Sequence, residues 1–273
     1  MRRDTGRAGE APPAPPPLAT PAVDAHCHLD LMDGSVAEVV AAAQAVGIAR
    51  LVTIGIDLPS SQWQVDTAAA YDDVYATVAI HPNEAHNADE EAWSRIALLA
   101  KDPNVVGVGE TGLDHYRTAS DRWVQQEESF RRHIAIAKET GKALVIHDRD
   151  AHNDVLRVLE SEGAPERVVF HCFSGDADFA GRCVDRGYVL SFAGNVTFKN
   201  ADDLRAAAQV TPLDQLLVET DAPFLTPMPF RGRPNAPYLV PLTVRALAEV
   251  KGCDEGTIAA GVTATAARVF AWS

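Results

Sequence analysis

From Val23 onward, short runs of apolar and β-branched residues alternate with longer stretches whose apolar positions recur at helical spacing. Eight of the short runs read as strands: Val23–His28, Arg50–Ile56, Val74–Ile80, Val105–Glu110, Lys142–His147, Arg167–His171, Tyr188–Phe192 and Gln215–Glu219. Between them the pattern predicts helices near 35–46, 61–71, 89–100, 122–140, 150–161, 176–186 and 201–208, with two more near 239–251 and 254–261 after the last strand. Ser35 is placed to cap the first helix and Gly47 to end it, and Gly141 closes the long fourth one. Regular alternation implies parallel strands with helices outside. Eight such units in about 250 residues fit one α/β domain, a (β/α)8 TIM barrel over residues 22–273. An open doubly wound sheet is the alternative, but no Gly-rich phosphate fingerprint follows any strand.

Residues 1–21 stand outside this pattern. They are rich in Pro, Ala, Gly and Arg and lack the apolar centre of a secretory signal, so they read as a flexible, disordered tail, polyproline-like where prolines cluster. No apolar run reaches the roughly eighteen residues of a membrane span. Cys27, Cys172, Cys183 and Cys253 are scattered without a CxxC pair, as expected of reduced thiols in a cytoplasmic protein. The formal charge is −14, from 38 acidic and 24 basic residues. That balance excludes a nucleic-acid binder relying on a broad basic surface. It leaves a metal centre and a few local arginines as the sources of positive field.

The chemistry gathers at the strand exits, where barrel enzymes carry their active sites. Side chains alternate along a strand, so His26 and His28 share a face and Cys27 points the other way. His81 follows strand three, Glu110 ends strand four, His147 strand five and His171 strand six, and Asp221 lies just past strand eight. Four histidines of this group (His26, His28, His147, His171), one glutamate and one aspartate exceed the needs of one tetrahedral ion. They suggest two adjacent ions bridged by a carboxylate, a site suited to hydrolysing a phosphoester, ester or amide. The ligand set admits Mg²⁺, Mn²⁺, Zn²⁺, Fe²⁺ or Ni²⁺.

Six motifs then occur in family order: HCHLD (His26–Asp30), Ile80-His81-Pro82, GETGLD (Gly109–Asp114), IHDRDA (Ile146–Ala151), FHCFSG (Phe170–Gly175) and ETDAPFL (Glu219–Leu225). With these the chain resembles the TatD family of metal-dependent deoxyribonucleases, within the amidohydrolase-like barrel superfamily. The resemblance implies that His26, His28 and Asp221 hold a first divalent ion, that Glu110 bridges, and that His147 and His171 complete a second. It implies catalytic roles for Asp221 and Glu110, Asp221 being the base toward the attacking water. Glu110 stands where many amidohydrolase relatives carry a carboxylated lysine.

The implied activity is removal of nucleotides from single-stranded DNA 3′ ends by a monomeric 3′–5′ exonuclease. Two rivals remain: an ester or amide hydrolase such as a D-aminoacyl-tRNA deacylase, and a metal-binding, non-catalytic partner protein. His81 is a substrate-facing candidate. So are Arg231 and Arg233, in the loop that resembles the family's Arg-Gly-Lys/Arg-x-Asn-x-Pro segment, set against a purely structural role for the loop. Arg149 and Lys199 lie near strand exits where phosphate oxygens are within reach, and Glu219 is placed to orient ligands. His115 stands where the family often has an aromatic residue. His133 and His152 fall in helical patterns and read as solvated, and His86 lies in a loop.

Overall fold

The computed structural model describes residues 9–272. In chain order the elements are β1 (Ala22–Cys27), α1 (Val36–Ala45), β2 (Ile48–Ile54), α2 (Leu58–Ala70), β3 (Val74–Val78), α3 (Glu90–Leu99), β4 (Val105–Asp114) and α4 (Trp123–Thr140). They continue with β5 (Ala143–Arg149), α5 (His152–Glu162), β6 (Val168–Phe170), α6 (Ala177–Val184), β7 (Val189–Phe192), α7 (Asp202–Val210), β8 (Leu216–Val218), α8 (Val240–Lys251) and α9 (Glu255–Phe270). The strands belong to one sheet in the order β1 to β8, with helices between them, which is the (β/α)8 barrel topology. Every residue of β1, β4, β7 and β8 is buried, as parallel strands covered on both faces must be. Among the described residues no helix is long and apolar enough to cross a membrane.

Contacts group the described residues into two compact units, one of residues 9–52 and 175–268, the other of 53–174 and 269–272. In the first, Ser35 caps α1 in a reciprocal pair with Glu38. Cys27 bridges Ala222 in parallel just beyond β8, and the N–H groups of His28 and Asp221 donate to the carbonyls of Ala222 and His26.

Residues 9–21, expected to be part of a flexible tail, instead run against this unit as a strap. Pro12, Pro15 and Leu18 are buried at a spacing of three, the repeat of a polyproline II helix. The strap has no ladder partner, and side chains take its carbonyls: Arg233 donates to Glu10 O (2.7 Å) and Ala11 O (2.9 Å), the Tyr238 hydroxyl to Pro12 O (2.7 Å), and Arg245 to Pro16 O (2.8 Å). Residues 1–8 of the expected tail lie outside the described residues.

In the second unit, β4 runs four residues beyond its expected end at Glu110, pairing with β5 as far as Asp114 opposite Arg149. Glycine permits the extension. Gly112 has φ +133, and a Cβ there would lie 2.2 Å from the His147 carbonyl oxygen. β3 ends early, at Val78, and His81 instead begins a turn, its Nδ1 accepting from the N–H of Asn83 (3.0 Å). Gly141, left-handed at φ +65, ends α4.

Candidate active site

Two sets of ligand-type side chains stand at strand exits, one in each unit. In the first unit, β1 delivers His26, fully buried, and its exit delivers His28, 4 % exposed. Their rings meet edge to face, 5.2 Å between centres. Both direct Nε2 at Asp221 Oδ1, from 3.8 and 3.5 Å. Asp221 adopts φ +53, a left-handed conformation that only a few non-glycine residues tolerate and that collects at functional sites.

Two neighbours hold this turn. Asp24, two residues before His26 on the same face of β1, accepts from Thr220 Oγ1 (2.5 Å), Thr220 N–H (2.9 Å) and His26 N–H (3.3 Å). Complete burial pushes its carboxyl up to about 8 against those hydrogen bonds, with Glu219 adding repulsion. Asn235 donates from its side chain to the carbonyls of Thr220 (2.9 Å) and Phe224 (2.5 Å), fixing the backbone on either side of Asp221.

The second unit gathers Glu110, His147 and His171. Glu110 Oε2 lies 2.7 Å from His171 Nε2 and 3.5 Å from His147 Nδ1, and the two ring nitrogens are 3.4 Å apart. Three donor atoms so spaced suit one divalent ion with nitrogen and oxygen ligands. Burial would raise the Glu110 carboxyl, but His171 and the hydrogen bond from His147 hold it well below the usual carboxylate range, so it stands ready as an anion. The far nitrogen of His147 lies 3.2 Å from Asp114 Oδ2, which orients the ring and leaves Nδ1 facing Glu110. Burial pulls the other way, yet Asp114 and Glu110 together raise the His147 pKa.

His81 plays a different part. Because its Nδ1 accepts from Asn83, the ring proton sits on Nε2, 3.9 Å from Glu110 Oε1. Burial lowers its pKa to about 3 and keeps the ring neutral. Its Nε2–H is therefore a donor for an anionic oxygen.

The expected arginines divide. Arg233 donates to the strap carbonyls of Glu10 and Ala11, in keeping with the structural role weighed for this loop beside the substrate-facing one. Arg231 is exposed and lies over the Phe198 ring at 4.3 Å. Arg149 lies over Tyr116, and His152 is half-buried and paired with Asp148 (2.8 Å). His133, expected in solvent, is fully buried, accepting from Ile80 N–H (3.0 Å) with Thr111 Oγ1 at 2.8 Å. Asp114 and Asp24 were not singled out from sequence as site residues. The signal for Asp24 was its two-residue spacing from His26.

The family described as TatD related DNase matches residues 23–271. The "uncharacterized metal-dependent hydrolase TatD" of Mycobacterium tuberculosis is 46 % identical over 257 residues, covering 91 % of this chain and 97 % of its own. The "uncharacterized metal-dependent hydrolase YcfH" of Escherichia coli K12 is 40 % identical, covering 91 % and 95 %. Among solved structures, the TatD homologue YJJV of E. coli K12 superposes with a TM-score of 0.86 at 26 % identity, covering 92 % of this chain and 98 % of that one.

Proposed function

The chain belongs to the TatD-related DNase family of metal-dependent hydrolases, and on that premise we propose that it cleaves phosphodiester bonds of single-stranded DNA, from the 3′ end. The observation that carries this reading is the convergence of Glu110, His147 and His171, with an anionic carboxylate between two imidazole nitrogens. In the proposal these three hold one divalent ion, and His26, His28 and Asp221 hold a second. Divalent ions bound there polarise the phosphoryl group and supply hydroxide near neutral pH. Asp221, the least buried of its trio at 14 % exposure, takes the proton of the attacking water. The neutral His81 donates its Nε2–H to a phosphoryl oxygen. Free thiols at all four cysteines support a cytoplasmic setting.

The test is an assay series on metal-stripped protein reloaded with Mg²⁺, Mn²⁺ or Zn²⁺. Single-stranded DNA labelled at its 5′ end, the matching RNA and a D-aminoacyl-tRNA are offered beside an Asp221→Asn control. The expected result is a metal-dependent ladder of shortened DNA, abolished by Asp221→Asn. Loss of the aminoacyl ester with intact DNA would replace the substrate. No turnover of any of the three would overturn the nuclease reading.

A further inference from the structure

Three of the six large apolar side chains exposed among the described residues, Tyr116, Trp123 and Val124, fall in one nine-residue stretch after β4. Their placement is fixed from below. Asp114 Oδ1 accepts from the N–H groups of Tyr116 (3.0 Å) and Arg117 (2.8 Å), while its Oδ2 faces His147 at 3.2 Å. One carboxylate thus ties this turn to a candidate metal ligand. Tyr116 is 65 % exposed, with the Arg149 guanidinium 4.0 Å from its ring centre, and the His115 N–H donates to the Arg149 carbonyl (2.9 Å). Trp123, 36 % exposed, stacks on His115 with centres 3.8 Å apart and planes 18° apart, and its indole N–H donates to Thr118 O (3.0 Å). Each aromatic ring is therefore backed by a planar nitrogen-bearing group and keeps part of its surface in solvent, more for Tyr116 than for Trp123.

We propose that Tyr116 backed by Arg149, and Trp123 backed by His115, form a stacking platform for unpaired bases of the strand being cut. The inference rests on the nuclease reading above and extends it to strand selection. An unpaired base has a free π-face for such a ring, and stacking on aromatic side chains is largely indifferent to base identity. A base inside a duplex has both faces covered by its neighbours. The platform therefore selects single strands and frayed ends without selecting sequence. The guanidinium behind Tyr116 strengthens the stack and leaves its outer N–H groups for a neighbouring phosphate.

The experiment is equilibrium binding in the presence of a chelator, read by anisotropy of a labelled oligonucleotide. A strand with all its bases is compared with one of the same length and charge carrying abasic sites. The full-length protein is expected to favour the base-bearing strand roughly tenfold or more. Tyr116→Ala and Trp123→Ala should reduce that preference, and Tyr116→Phe should retain it. Equal affinity for the two strands in the unsubstituted protein, or an undiminished preference in both alanine variants, overturns the platform. Cleavage of both strands by metal-loaded protein, with no base preference in binding, sinks the platform alone. A base preference without cleavage under any metal retains the platform and sinks the nuclease reading.

Discussion

His133 should cost the protein stability as the pH falls below 6.5. Its Nε2 accepts the Ile80 N–H (3.0 Å), a role open only to the neutral ring, and Nδ1 lies 2.8 Å from Thr111 Oγ1. The ring is fully buried, and burial lowers its pKa to about 3 from the usual 6.5. Above pH 6.5 neither folded nor unfolded chain binds this proton, and the stability is fully present. Between 6.5 and about 3 only the unfolded chain binds it, so stability falls with pH. At pH 5 the loss is RT ln(1 + 10^1.5), about 2 kcal/mol.

The perturbation is His133→Gln, which offers a side-chain oxygen to Ile80 but does not titrate. The assay is urea unfolding of chelator-treated protein at pH 7.5, 6 and 5. At pH 7.5 the variant is expected to be less stable by about 1–3 kcal/mol through imperfect hydrogen bonding. At pH 5 that deficit should shrink by about 2 kcal/mol, because only the unsubstituted protein loses the His133 contribution. The other histidines titrate in both proteins and cancel in the difference. Parallel stability curves, with the same deficit at all three pH values, would refute the argument.

Asp114→Asn should weaken retention of the ion at Glu110, His147 and His171 by roughly 10- to 100-fold in a chelator competition, since the carboxylate orienting His147 is lost. Gly112→Ala, with a Cβ 2.2 Å from the His147 carbonyl and φ at +133, should lower stability by about 2 kcal/mol or more in a denaturant titration and release the same ion. Removing residues 1–17 deletes four hydrogen bonds to Arg233, Tyr238 and Arg245, and exposes surface now covered by Pro12 and Pro15. At about 0.5–1.5 kcal/mol per bond, part of it offset by strap entropy, a melting temperature lower by several degrees is expected; an unchanged melt would show the strap to be passive.

The eight strands and the ligand-type residues were legible because both are local. A histidine beside an apolar run announces its place at a strand exit without knowledge of any partner. What escaped was set by distant residues. The strap reads as disordered by composition, yet its anchors lie more than two hundred positions away, at Arg233, Tyr238 and Arg245. Only the spacing of Pro12, Pro15 and Leu18 hinted at one buried side. For Arg233 the sequence left a substrate-facing and a structural role side by side, because nothing near it in sequence shows the carbonyls it serves. His133 was readable in principle, since it lies on the same helical face as Phe130, Ile134 and Ala137, all buried. Its polar ring outweighed that position in the reading. The end of β4 was misplaced because Gly112, which weakens a strand by propensity, here permits the pairing that carries β4 to Asp114.

On the proposed reading, an acidic chain acts on a polyanion, and the platform resolves that tension. With a formal charge of −14, long-range attraction does not draw the substrate in, and a long basic track for phosphates is excluded by composition. A divalent ion held by either candidate ligand set would return two positive charges at that set, and little elsewhere. The rest of the affinity must then come from a source that net charge does not oppose. Stacking on exposed rings is such a source, and it is available only where bases are unpaired. Acidity of the whole chain and preference for single strands are thus linked: a duplex would meet the repulsion without the compensating stack. Asp114 makes the arrangement local, because the carboxylate that orients His147 also holds the backbone of Tyr116.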